Sequence, residues 1–104
     1  MIKVTRNNIN KKNMVALGYC QCQTILNTFG YEYKIGENVG VNGWNYNLYR
    51  INGVDIVAGY NVPYYNLSNK EIKNKLVAFE NKIRANFDYS KREEYKKEFL
   101  KIFE

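Results

Sequence analysis

The chain has 104 residues, 45% of them hydrophobic and 25% charged, with 16 Lys or Arg against 10 Asp or Glu and a net charge of +6. That length supports one domain with its own core, and the composition excludes a disordered chain, while the short apolar runs exclude a membrane-spanning one. The lack of any histidine removes Ser-His-Asp and Cys-His nucleophile systems and most zinc sites.

The opening residues, MIKVTRNNINKKN, carry charge without a following apolar stretch. No secretory signal is therefore expected, and the protein is expected in the cytoplasm of a bacterial host cell, with Cys20 and Cys22 as reduced thiols. Residues 2–4 read as a short edge strand, and residues 5–12 as a polar helix anchored by Ile9 alone. Met14 to Leu17 is an apolar run ending at Gly18, which reads as a buried strand. Tyr19, Cys22, Leu26 and Phe29 then recur at three and four residues, with Gly30 at the natural stop, so the spacing predicts a helix over about residues 19–29. Cys20 and Cys22 would point to different faces of that helix, as packing groups and not as metal ligands.

Residues 31–35 alternate apolar and polar and predict a strand. Gly36, Gly40 and Gly43 punctuate a loop leading into Trp44. With no Gly-Lys-Ser/Thr ending and no helix to follow, this reads as a bent strand and not as a phosphate loop. The stretch WNYNLYRINGVDIVAGYNVPYY, residues 44–65, is the organising element. Asn52-Gly53 is the pair that most readily takes the two positive φ angles of a type I′ turn, so the segment predicts a two-residue β-hairpin. That turn pairs Ile51 with Val54, Arg50 with Asp55, Tyr49 with Ile56, Leu48 with Val57, and Tyr46 with the bare Gly59. Tyr49, Ile51, Val54 and Ile56 are expected on the core face. Arg50, Asp55 and Tyr46 are expected on the opposite, more exposed face. Pro63 ends the second strand or confines it to an edge, which leaves a monomer or a weak homodimer formed by sheet extension.

Further along, Ser68 with Glu71 fits a capping box, and Ile72, Leu76, Phe79, Ile83 and Phe87 form one apolar stripe. Ser90 with Glu93 repeats the pattern ahead of Tyr95, Phe99, Ile102 and Phe103. Two helices, about residues 69–87 and 91–103, are expected to fold back as an αα-hairpin. The fold class is thus α+β in a single domain, residues 1–104. A small antiparallel sheet centred on the hairpin, about residues 44–61, packs with the N-terminal helix and the C-terminal αα-hairpin.

Charge is unevenly placed: +4 over residues 1–35, −1 over 36–66 and +3 over 67–104. The hairpin is an almost uncharged aromatic and amide zone between two basic ones. Outside the charged helices, Glu32, Glu37 and Asp55 are the carboxylates left for an acid-base pair, and Asp55 already has Arg50 opposite it. No catalytic residue, metal site or cofactor is expected. Recognition remains. Trp44, Tyr46, Tyr60, Tyr64 and Tyr65, interleaved with Asn42, Asn45, Asn47 and Asn61, combine large rigid rings with adaptable hydrogen bonds. The same rings can stack on unpaired bases beside Lys34, Arg50 or the basic cluster Arg6, Lys11 and Lys12.

Three segments carry a family resemblance: Gly18-Tyr19-Cys20-Gln21-Cys22-Gln23, then Gly40-Val41-Asn42-Gly43-Trp44-Asn45 with Tyr49, then Gly53-Val54-Asp55-Ile56 with Gly59-Tyr60. In that order they resemble short, largely uncharacterised proteins of Firmicutes phages, plasmids and other mobile elements, with a GYCxxQ, GVxGWN, GVxI, GY pattern. The over-use of Asn, Lys, Ile and Tyr fits such AT-rich genomes. After Gly59-Tyr60 the pattern's Arg-Pro pair is replaced by Asn61, Val62 and Pro63. The resemblance implies a mobile-element context, in which small basic α+β proteins often inhibit host defence, anti-CRISPR proteins among them. The leading expectation is a non-enzymatic inhibitor that binds a host defence protein or ribonucleoprotein complex such as a CRISPR effector. A direct nucleic-acid-binding protein is the alternative, and a small carboxylate-dependent hydrolase or toxin the second alternative.

Overall fold

The computed structural model of the chain describes residues 1–39, 45–62 and 64–104. Trp44, Asn42, Gly40, Gly43 and Pro63 lie outside these residues. The hairpin forms as its turn residues dictate. Asn52 and Gly53 take φ of 50° and 78°, and β4 (Asn45–Ile51) and β5 (Val54–Gly59) pair in the expected register from Ile51–Val54 to Tyr46–Gly59. Gly59 is fixed by close approach, because a Cβ there would overlap the Asn45 carbonyl oxygen and come within 2.9 Å of Tyr46 Cδ1.

β3 (Lys34–Val39) pairs antiparallel with β4, and each outer edge then gains a parallel strand. β1 (Ile2–Lys3) joins β3, and β2 (Met14–Leu17) joins β5, giving the order β1-β3-β4-β5-β2. The sheet is antiparallel at its centre and mixed overall. Connections between parallel strands need long crossovers, and β1, β2 and β3 all run parallel. Residues 4–13 cross one face from β1 to β2, and α1 (Gln23–Phe29) covers the other on the way from β2 to β3. β5, which ends at Gly59, is accordingly an inner strand, so of the two readings of Pro63 the confinement of this strand to an edge does not hold. The outer edge of β2 is covered too: Ala16 N donates to Ser68 Oγ at 3.0 Å and Asn69 N to the Met14 carbonyl.

The helix expected over residues 5–12 is instead a chain of turns. Its asparagines bind backbone locally, as short polar side chains do in competition with a helix. Asn8 Nδ2 donates to the Lys3 carbonyl, Asn10 Oδ1 accepts from Lys12 N, and Asn8 N and Asn13 N close four-residue turns on Thr5 and Asn10. Ile9 is still the buried anchor. α1 starts at Gln23 and not at Tyr19, because Gln21 N closes a turn on Gly18 and Cys22 sits at φ 56°, outside helical space. Cys20 and Cys22 therefore precede the helix. Residues Tyr31–Tyr33 form a 3-10 turn, and the strand begins only at Lys34.

Both faces of the sheet are packed. On the helix side Val15, Leu17, Tyr49, Ile51, Val54 and Ile56 meet Ile25, Leu26 and Phe29 of α1, with Leu76, Phe79 and Ile83 of α2 (Lys70–Ala85) and Tyr95 and Phe99 of α3 (Arg92–Lys101). Phe99 is its hub, with the Phe29, Phe79 and Phe103 rings 5.3–6.3 Å away. The opposite face is no open surface: Val4, Ile9, Met14, Ala16, Leu48, Val57 and Val62 form a second, smaller core under the 4–13 crossover.

The two helices fold back as expected, with different caps. Ser68 is spent on Ala16, so Asn69 caps α2 by accepting from Ile72 N at 3.2 Å. Asp88 accepts from Ser90 N and Ser90 Oγ, shaping the Tyr89–Lys91 3-10 turn that leads into α3, which lowers the Asp88 carboxyl pKa. α2 stops at Ala85, which leaves Phe87 half-exposed against Tyr89 and Tyr95.

Candidate recognition cleft

Outward from the hairpin turn, the helix-side residues of β4 run Ile51, Tyr49, Asn47, Asn45, from apolar to amide. Helices cover the apolar end. At the amide end the register sets Glu37, Asn47 and Ala58 in one row, and this row floors a cleft of about 320 Å³. A bulge between Lys34 and Gly36 brings Lys34 and Glu37 onto the same face, where Lys34 Nζ lies 3.8 Å from Glu37 Oε2. Gln23 and Leu26 of α1 and the ring of Tyr19 close the other side. Burial holds the Tyr49 phenol above its ordinary pKa, with the Tyr31 hydroxyl adding to it, so Tyr49 enters the cleft neutral.

Tyr19 is braced from behind. Its ring stacks on Tyr60 with centroids 4.2 Å apart and planes 7° from parallel. Tyr19 also walls a second hollow of about 290 Å³, whose lining includes Gln21 and Tyr65. There the Tyr65 hydroxyl donates to Gln21 Oε1 at 2.6 Å, and Gly18 N donates to the same oxygen. Lys73 Nζ lies 3.7 Å from the Tyr65 ring centroid, and Lys11 Nζ lies 5.2 Å from that of Tyr64. Among the described residues, four non-glycine residues have positive φ, and three of them, Cys22, Asn61 and Tyr64, fall in the segments that carry Tyr19, Tyr60 and Tyr65. Such conformations persist only where surrounding structure enforces them, and they cluster at functional sites.

The structure thus brings Tyr60 and Tyr65 of the expected site residues together with Tyr19 at one end of the sheet, beside the Asn45 and Asn47 floor, whereas Tyr64, with Lys11 over its ring, packs on the second core of the opposite face. Others go elsewhere. Arg50 is a structural partner: Nε lies 2.6 Å from Asp55 Oδ1 and Nη2 2.9 Å from Oδ2, and Nη2 also donates to the Asn8 carbonyl. The hydrogen bonding to Asp55 raises the Arg50 pKa further. Asp55 is not on an exposed face: it is 0% accessible and also accepts from Asn10 N at 2.7 Å. Tyr46 lies over Gly59 on the second core, its hydroxyl donating to the Asn61 carbonyl. Arg6 and Lys12 are exposed on the crossover segment, Lys34 is tied to Glu37, and Trp44 is outside the described residues. Tyr19, Gln23 and Lys73 were missed by sequence reasoning. Tyr19 was assigned to a helix stripe that starts only after it, although its place in the GYCxxQ segment was a signal.

Glu32, Glu80 and Cys22 are committed to structure. Glu32 pairs with Lys96 at 2.6 Å, raising the lysine's pKa. Glu80, nearly buried, accepts from Ile25 N at 3.1 Å and from Arg84 Nε at 3.0 Å, so a carboxylate of α2 caps the first turn of α1. Burial first, and then Glu80, push the Cys22 thiol up to about 12, which leaves it an unreactive packing group. Among the described residues no three Cys, Asp or Glu side chains gather as a cation site, and no helix is long and apolar enough to cross a membrane. Comparison with protein-family models, curated proteins and solved structures gave no match.

Proposed function

We propose that the protein acts by binding and not by catalysis, as an inhibitor from a phage or other mobile element that blocks a host defence nucleoprotein complex such as a CRISPR effector in the bacterial cytoplasm. The observation that carries the binding reading is the cleft itself. A braced tyrosine faces a floor of side-chain amides, the pairing of rigid ring and adaptable polar group that recognition surfaces use. Support against catalysis comes from the carboxylates, since Asp55 is consumed by Arg50 and Asn10 and Glu32 by Lys96, which leaves Glu37 in the cleft without the second carboxylate of an acid-base pair. The mobile-element context comes from the resemblance over residues 18–60, and the net charge of +6 favours an acidic partner. A second reading, direct binding of nucleic acid, is favoured by the lysines over Tyr64 and Tyr65.

A titration against guide-loaded CRISPR effector complexes and against naked RNA, single-stranded DNA and duplex DNA tests both. The inhibitor reading expects a complex with an effector at physiological salt, loss of target cleavage, and intact nucleic acid throughout. Binding of naked nucleic acid alone, weakened about 10³-fold or more between low and physiological salt, would replace it with the second reading. Cleavage of nucleic acid by the protein would overturn both.

A further inference from the structure

We infer that the cleft takes an unpaired guanine base presented by a single strand of nucleic acid, with Glu37 as the group that selects it. The inference rests on the reading of this cleft as the contact centre, and adds what fills it. Its lining has one carboxylate, Glu37, in the same row as Asn47 and beside Asn45, with the Gln23 amide across from them. An ionised carboxylate only accepts hydrogen bonds, and can take two parallel donors at once. Among the bases, guanine alone presents two adjacent donors, N1–H and the N2 amino group, on its Watson–Crick edge, with O6 beside them as an acceptor for an amide N–H. Asn and Gln amides can turn to suit any base, so the carboxylate carries the discrimination. At 3.8 Å, Lys34 is an ion-pair partner beyond hydrogen-bond distance, so it leaves the Glu37 oxygens' acceptor capacity in place. Tyr19, backed by Tyr60, supplies the flat face on which a base stacks.

The charge distribution favours a base within a strand over a free nucleotide. The described lining contains no Lys or Arg. The phosphates of a bound nucleotide would find no cation inside. Cations stand outside: Lys34 beside Glu37, Lys3 next to Glu37 in the parallel register, and Lys73 over Tyr65. A strand can leave one base in the cleft and lay its backbone along these lysines.

The test measures affinity of the full chain, at physiological salt, for a short uridine-only RNA carrying one central guanosine, and for the same strand with inosine or adenosine there. Inosine lacks only the N2 amino group. Wild-type protein is expected to prefer guanosine to inosine by about tenfold or more. In Glu37→Gln, checked for an unchanged urea midpoint, the guanosine strand should fall to the inosine level. Guanosine monophosphate should compete far more weakly than the guanosine strand. Equal binding of all three strands, no binding of any, or an undiminished preference in Glu37→Gln would overturn the inference. Competition by the mononucleotide as strong as by the strand would overturn the strand as its source. A protein that blocks an effector yet shows no guanosine preference loses this inference alone. One that prefers guanosine yet ignores every effector complex loses the proposed target alone.

Discussion

Replacing Arg50 by Met would leave the Asp55 carboxylate without its guanidinium in a position 0% accessible to water. Breaking a fully buried pair from one side costs about 3–5 kcal/mol. Because the Arg50 side chain is 45% exposed, solvent already screens the pair and a loss of about 2–3 kcal/mol is expected. A urea titration checks this, and the folded fraction should bind partner as wild type does, since Arg50 lies in the structural knot on the other face of the sheet. A weakened partner affinity at full stability would return Arg50 to the contact site. The two cysteines give a second residue-level test. With the Cys22 thiol near 12 and buried and Cys20 exposed, a thiol reagent at pH 8 should modify one cysteine per native chain, identified by peptide mapping as Cys20. Rapid modification of Cys22 in the native protein would contradict its placement.

At the scale of elements, the start of α2 separates two capping schemes. Asn69 caps the helix while Ser68 serves Ala16 across the β2 edge. Ser68→Ala should cost about 1–3 kcal/mol by leaving a buried N–H without its acceptor, and Asn69→Ala about 1 kcal/mol. Glu71→Ala should cost less than about 0.5 kcal/mol, because no capping box forms. Chemical denaturation of the three variants checks the order. The hairpin was legible in the sequence because Asn52-Gly53 sets both turn and register locally, and α2 and α3 were legible from their stripes. What stayed hidden depended on distant partners. Nothing local announces that β1 and β2 join as parallel edge strands, that Ser68 is claimed by Ala16, or that residues 4–13 fold as an Asn-rich crossover sealing a second core. The face that pairing patterns marked as exposed was covered for that reason. The same holds at the site: Tyr60, Tyr65 and the Asn45 and Asn47 amides were legible as a patch, but Tyr19 reaches it only because Cys22 breaks the helix behind it.

For the molecule as a whole, the packed cores are segregated from the cleft. The phenylalanines close one core around Phe99, the crossover closes another, and the exposed tyrosines at the amide end of the sheet border a cleft between basic flanks. The measurement that tests the central claim most directly is the affinity of Tyr19→Ala, beside wild type, for a guide-loaded effector complex that the wild-type protein binds. Tyr19 is 46% exposed, so its truncation should shift stability by less than about 1 kcal/mol. A loss of affinity of about tenfold or more at that stability is the predicted result, the scale of one aromatic contact residue. Wild-type affinity in a folded Tyr19→Ala protein would contradict the cleft as the contact centre.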